Sequence, residues 1–309
     1  METIRSILLN DKDKKEILSI DLSKSHMSKN FTLTKEEILS TKSMIKPYIK
    51  VGYSLQLLFI KNLGRPIPID YKEIPIEILE FIGEQLNITN VNIEKYFTTE
   101  ITRKRNSQHL VEILGYSKFI ITDEITNIAK ILSMNISSKK QLVLEFLDRL
   151  KELKIIAPAL ATVEEFLYQI MQDTNSNIYK DIVFQIPDKI KLDTLLIPDD
   201  KGISPFSHIK NIEINSTAKG LKTLLKHIKF INDFNCPCNL DFLSPEKLRF
   251  FSDEINKSNR FRIQRFSDEN KRYSYLAMFL LFRKKTFVDM VIEINSNFTH
   301  KVMRNSKKK

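Results

Sequence analysis

Glycine is scarce: there are six in 309 residues, where ordinary usage would give about twenty. All-β folds and phosphate-cradling loops both lean on glycine at positive φ, so the shortage argues against both and for an all-α fold. The six stand at 52, 64, 83, 115, 202 and 220, too far apart for a dinucleotide fingerprint or a phosphate loop. Cysteine is nearly absent too. Cys236 and Cys238 lie in CPC, too close together for an easy mutual disulfide, which suits a cytoplasmic protein with reduced thiols. His227 could add a third ligand, but the spacing fits no common zinc site, and no metal or other cofactor is expected. There is no HExxH. The acidic pairs Glu164-Glu165 and Asp199-Asp200 sit in helix or turn patterns, as solvated faces or caps, so nothing argues for an enzyme active site. Long apolar runs are missing as well. YLAMFLLF at 275–282 is too short to span a bilayer. The N-terminal METIRSILLNDKDKK returns to charge after three apolar residues, unlike a secretory signal.

What the chain does have is positive charge. Its 49 Lys+Arg against 38 Asp+Glu leave +11, which favours polyanionic partners, nucleic acid or an anionic membrane. Heavy use of Ile, Lys and Asn also suits an AT-rich genome, which raises lysine without any binding role. With 42% hydrophobic residues the chain can bury sizeable cores, and its length suggests about two domains.

Residues 1–30 read as a charged, serine-rich leader. A capping-box spacing, Thr34 to Glu37, opens the regular pattern. After Pro47, the residues Ile49, Tyr53, Leu57 and Ile60 form a buried helical stripe, closed by Gly64-Arg65-Pro66. Further helices are expected at 75–86, 105–114, 122–135, 138–154 and 160–173, then at 217–232, 245–255 and 269–294, with a lysine tail at 307–309. Between 186 and 216, prolines among Asp, Asn and Ser read as short helices joined by loops. KIIAP at 154–158 is the best candidate boundary, dividing a helical domain 31–156 from a second at 157–309.

Two clusters carry chemistry. TRKRNSQH at 102–109 places Arg103, Lys104 and Arg105 at an expected helix start, where the macrodipole disfavours cations and an external anion would relieve them. Asn106, Gln108 and His109 follow on the first turns, where a recognition helix presents base-reading side chains. His109 runs straight into LVEIL, so packing or capping is its other reading, and a solvated helix start is the other reading of the whole octet. The second cluster, 256–285, holds nine cations against Asp268 and Glu269. Arg260, Arg262, Arg265, Lys271 and Arg272 alternate with Phe261, Ile263 and Phe266, which gives a packing side and a cationic, phosphate-tracking side. An acidic protein or anionic membrane is the alternative partner.

VGYSLQLLFIKNLGRPIP (51–68), PIEILEFIGEQLNI (75–88) and RKRNSQHLVEILGYSKF (103–119) follow one another in the order of a known pattern. The chain resembles the N-terminal region of TnpA, the transposase family of class II replicative (Tn-three) transposons. Val51, Gly52, Tyr53, Leu55, Gln56 and Leu57 match the family's opening helix, followed by Gly64, Arg65 and Pro66. Arg103, His109, Leu114, Gly115 and Tyr116 match its later R, H and LGY positions. IIAPALATVEEFLYQ (155–169) and KRYSYLAMFLLFRKKTFVDMVIE (271–293) are similar to two further segments. Lysine often replaces arginine, 198–216 matches poorly, and the first thirty residues match little.

The resemblance implies helical domains that bind double-stranded DNA at the terminal inverted repeats. It puts strand cleavage in a ribonuclease-H-like domain further downstream, so the chain is expected not to be an enzyme by itself. Arg65 joins the DNA-contacting set through its place in the motif. Full-length transposase or a second copy is the implied protein partner, with no membrane partner. The alternative is a truncated homologue that regulates transposition by protein interaction.

Overall fold

The structure, a computed structural model, describes residues 8–89, 92–212 and 214–306. The first seven residues of the expected leader and the lysine tail at 307–309 lie outside the described residues. Two compact units emerge: Met1–Leu132 with Ser138–Ile170, and Ser133–Ser137 with Met171–Lys309. Sixteen α-helices and one pair of two-residue strands make up almost all regular structure among the described residues, so the fold is all-α as expected. No helix among them is long and apolar enough to cross a membrane.

The first unit begins with three short helices, α1 (Asp11–Leu18), α2 (Lys24–Asn30) and α3 (Lys35–Ser40). The capping box read from the sequence opens α3: the Thr34 hydroxyl accepts from the Glu37 amide at 3.2 Å, and the Glu37 carboxylate accepts from the Thr34 amide at 2.8 Å. Pro47 starts α4 (Pro47–Leu58), where its missing N–H costs nothing. This helix is more than a striped one. Every residue from Val51 to Ile60 is buried, because α5 (Ile76–Gln85), α6 (Glu94–Thr98) and α7 (Glu100–Ile113) all pack around it. A π-helical turn, Phe59–Leu63, follows and ends at Gly64, whose φ of 64° suits a residue without Cβ.

Beyond α7 the chain forms β1 (Ser117–Lys118), α8 (Asp123–Asn135), α9 (Lys139–Glu152) and β2 (Ile155–Ile156). The strands pair in parallel, Ser117 opposite Ile155 and Lys118 opposite Ile156. The KIIAP segment therefore lies inside the first unit, tied to the end of α7. Next comes α10 (Leu160–Phe184), eleven residues longer than expected, which belongs to the first unit up to Ile170 and to the second from Met171. Glu164 on α10 does not lie on a solvated face. It is buried, accepts the Leu9 amide at 3.0 Å and pairs with Lys14 at 2.8 Å.

The second unit adds α11 (Lys189–Asp193), α12 (Pro205–Lys210), α13 (Ala218–Asp233), α14 (Pro245–Lys257), α15 (Arg260–Gln264) and α16 (Glu269–Ser306). Asp199 caps a turn there, accepting the amides of Lys201 and Ile203 at 3.0 and 2.9 Å. From Tyr273 to Leu280, α16 is buried on all sides, so its apolar run is a core segment, with α11, α13 and α14 packed against it. Aromatic rings fill that core, including Phe206 against Phe279 at 4.3 Å and Phe266 against Tyr275 at 5.2 Å.

Two buried polar groups set the energetics. Tyr96 is fully buried in the first unit; its hydroxyl donates to Gln56 Oε1 at 2.7 Å and accepts from Asn106 Nδ2 at 3.0 Å. Burial pushes its pKa up to about 12. Its ring lies against Gly52, where any Cβ would overlap ring carbons. Tyr96→Phe strands two amide groups in the core and is expected to cost about 1–3 kcal/mol in chemical denaturation. Gly52→Ala is expected to cost at least as much through overpacking. A change under about 0.5 kcal/mol for both would remove Tyr96 from its central place.

Lys247, in the second unit, is 2% exposed. Its ammonium donates to the Ser133 carbonyl at 3.0 Å and lies 5.8 Å from the ring centroids of Phe250 and Phe251. Burial holds its pKa down to about 8. An unfolded lysine keeps its proton to about pH 10.4, so the unfolded state binds more protons between those values and stability rises with pH. Relative to Lys247→Met, the wild-type chain is expected to gain roughly 1 kcal/mol per pH unit between pH 8 and 10. A flat difference across that window would contradict this.

Candidate nucleic-acid interface

α7 starts at Glu100, well before the cations of the TRKRNSQH octet. Arg103, Lys104 and Arg105 therefore lie inside the helix, not at its positive end. Glu100 supplies the acid that the first turn favours, and it pairs with Lys104 at 2.7 Å. The dipole argument for an external anion thus does not hold at this helix. The octet divides by face. Arg103 is half-buried, with its guanidinium 5.5 Å from the Phe97 ring and its carbonyl accepting from Gln56 Nε2 at 3.2 Å. Asn106 spends its amide on Tyr96, so the base-reading role expected of it gives way to a core hydrogen bond. Lys104, Arg105, Gln108 and His109 point outward, exposed, with the His109 ring 6.4 Å from that of Tyr53. Leu110 is the one fully buried side chain of the helix.

The outward face borders an open groove of about 740 Å³. Lys104, Gln108 and Glu112 line it from α7, and Tyr116, Lys118 and Pro158 line it from the strand pair and the chain after β2. Lys118 was missed in the sequence, because only pairing of Ser117–Lys118 with Ile155–Ile156 brings it opposite α7.

Arg65 is not free to meet DNA. Its guanidinium donates to the carbonyls of Ile17 and Leu18 at 3.2 and 3.1 Å, satisfying the C-terminal end of α1, and burial pulls its pKa down. Arg65→Ala is expected to destabilise the first unit by about 1–3 kcal/mol, read as a lower denaturation midpoint, with Arg65→Lys recovering only part. Unchanged stability would return Arg65 to the surface set.

The arginine-rich cluster is also partly occupied. Arg262 pairs with Glu254 at 3.2 Å. Arg272 is held by the Tyr273 hydroxyl at 3.1 Å, by Asp193 at 3.5 Å and by Glu269 at 3.7 Å; the Tyr273 bond leads the effects that raise its pKa. It is a structural residue. Arg260 lies 4.4 Å from the ring of Phe261, which is exposed instead of packing inward, while Ile263 is buried. Lys271 sits 4.7 Å above Phe266. Arg265 is exposed and has no side-chain partner among the described residues. Cys236 and Cys238 are free thiols with sulfurs 3.5 Å apart. Among the described residues no group of three or more His, Cys, Asp or Glu is placed to hold a metal ion.

Comparison with known proteins adds the family. The chain is 18% identical over 311 aligned residues to the transposase for transposon Tn501 of Pseudomonas aeruginosa, covering 99% of this chain and 31% of that protein. It is 19% identical over 298 residues to the transposase for transposon Tn1546 of Enterococcus faecium, covering 93% and 30%. The chain thus spans about a third of the length of these curated relatives, and the similarity to a transposase N-terminal region extends across nearly all of it. Residues 8–170 match the model of a family described as a domain of unknown function, DUF4158, and the match ends where the first unit ends. With more than half of its residues matched, the chain belongs to the DUF4158 family.

Proposed function

We propose that this chain provides DNA-end recognition in class II transposition: it binds double-stranded DNA at the terminal inverted repeats and performs no strand cleavage or joining itself. The observation that carries this reading is α7, a fourteen-residue helix with one buried side chain, whose exposed Lys104 and Gln108 line an open groove and whose Arg105 is also exposed. A helix of this kind fits the DNA major groove, about 12 Å wide. Gln108 is the base reader, since a glutamine amide can bond adenine through two atoms. Arg105 and Lys104 meet phosphates, the exposed Lys104–Glu100 pair giving way readily. In the second unit Arg260 and Arg265 contribute backbone contacts. Similarity to two transposases supports the reading.

Competitive binding to cognate and scrambled repeats at fixed salt tests it. Gln108→Ala is expected to lower the preference for the cognate repeat about tenfold, within the roughly 1–3 kcal/mol of a bidentate base contact. Arg105→Ala should weaken both duplexes alike, and Asn106→Ala should lower stability instead of specificity. Silence of Gln108→Ala and Arg105→Ala on folded protein would leave α7 a solvated helix. Co-purification with a transposase without any shift of DNA would overturn the reading in favour of a protein-interaction regulator.

A further inference from the structure

α13 carries lysine at 219, 222, 226 and 229. Spacings of three, four and three residues place these side chains within an arc of about 80°, along about 15 Å of helix. All four are exposed. None has an ion-pair or hydrogen-bond partner for its ammonium among the described residues. The other side of the helix is apolar and committed: Leu224 and Ile231 are buried, and Leu221 and Ile228 pack on the same core.

Left to itself, this arrangement is unfavourable. Neighbouring lysines at i, i+3 and i, i+4 repel. The first turn holds Lys219 and no acid, and its one side-chain cap is the neutral Thr217 hydroxyl, accepting from the Gly220 amide at 3.1 Å. Asp233, the last residue, is the only acid on the helix. A merely solvated face mixes its charges, as α9 does with Glu145, Asp148, Arg149 and Glu152. The structure of α13 makes sense against a polyanion. Here, unlike at α7, the dipole argument applies.

We propose that the lysine row of α13 is a sequence-independent DNA-backbone surface of the second unit, an inference that rests on the DNA-binding reading above. One strand of duplex carries a phosphate every 3.4 Å of axis or so, so about 15 Å of lysine row faces roughly four. Lysine suits the task as a point charge without the fork that reads bases. Lys226 also borders a groove of about 760 Å³ lined as well by Lys201 and by Asp199, whose carboxylate is already engaged by the amides of Lys201 and Ile203. Nearby arginines serve this less well: Arg262, Arg272 and Arg283 are held by Glu254, by Asp193 and by the Lys210 carbonyl. An anionic membrane fits poorly, because a surface helix needs its apolar side free for lipid, and that side of α13 packs on α16.

The test replaces all four lysines by glutamine in the full chain and measures binding to cognate and scrambled duplexes across a salt series. Glutamine keeps helix propensity and removes the repulsion, so the thermal melt should hold or rise. Affinity for both duplexes is expected to fall by the same factor. The slope of log K against log salt should flatten by about 0.9 for each phosphate no longer neutralised, up to roughly 3.6. An unchanged slope in a folded variant, with wild-type chain still binding and Gln108→Ala still lowering specificity, overturns the α13 surface and leaves the proposed function standing. If the wild-type chain binds neither duplex, the proposed function fails first. Loss of retention on phosphatidylserine vesicles with an unchanged DNA slope would assign the row to lipid and overturn the proposal.

Discussion

The Tyr96 hydroxyl is where α4, α6 and α7 are locked together. It reaches Gln56 on one side and Asn106 on the other, while its ring occupies the space that Gly52 leaves open. Gln56 extends the chain of bonds to the Arg103 carbonyl. These contacts fix the rotation of α7 about its own axis. Successive helical residues differ by about 100° in direction, so turning Asn106 inward turns Lys104, Arg105 and Gln108 outward. The exposed face of α7 is a consequence of a buried hydrogen bond, more than of its own amphipathicity.

In the second unit a similar sorting decides which cations are free. The buried turn of α16 from Tyr273 onward needs its polar edge satisfied, and Asp193 does this by accepting from the Tyr273 hydroxyl at 3.0 Å while pairing with Arg272. Arg283 is likewise taken up by the Lys210 carbonyl and Asn256. Charge that looks like a surplus along the chain is thus partly consumed inside the fold. Lysine stems on an outward helix face escape that consumption.

Helix identity was legible because scarce glycine, the Thr34–Glu37 box and the Gly64-Arg65-Pro66 stop are local signals that tertiary structure did not override. Ends of helices were harder. Glu100 to Arg103 lack an obvious cap, and α10 continues through the polar QDTNSN stretch to a second apolar stripe, Ile178, Tyr179, Ile182 and Val183, buried in the second unit's core. The candidate contact residues were read by type, and type does not reveal direction. Arg65 and Asn106 look available in sequence, yet each has a partner dozens of residues or one helix away. Phe261 shows the reverse, an aromatic expected inside that lies in solvent. The lysine row of α13 was readable from spacing alone, but its significance depends on knowing that none of the four ammonium groups has a partner among the described residues.

The strand pair opposite α7 is two residues long on each side. It joins segments almost forty residues apart in sequence, with α8 and α9 folded between them. So short a ladder would open readily by itself, but its second strand is anchored beyond the pairing: Ile156 packs on the first unit's core and the Ala157 amide donates to the Gly64 carbonyl at 2.9 Å. The bank of the groove opposite α7 is therefore pinned to the turn that follows α4. A disturbance at Gly64 would reach that bank without touching α7 or the strands themselves.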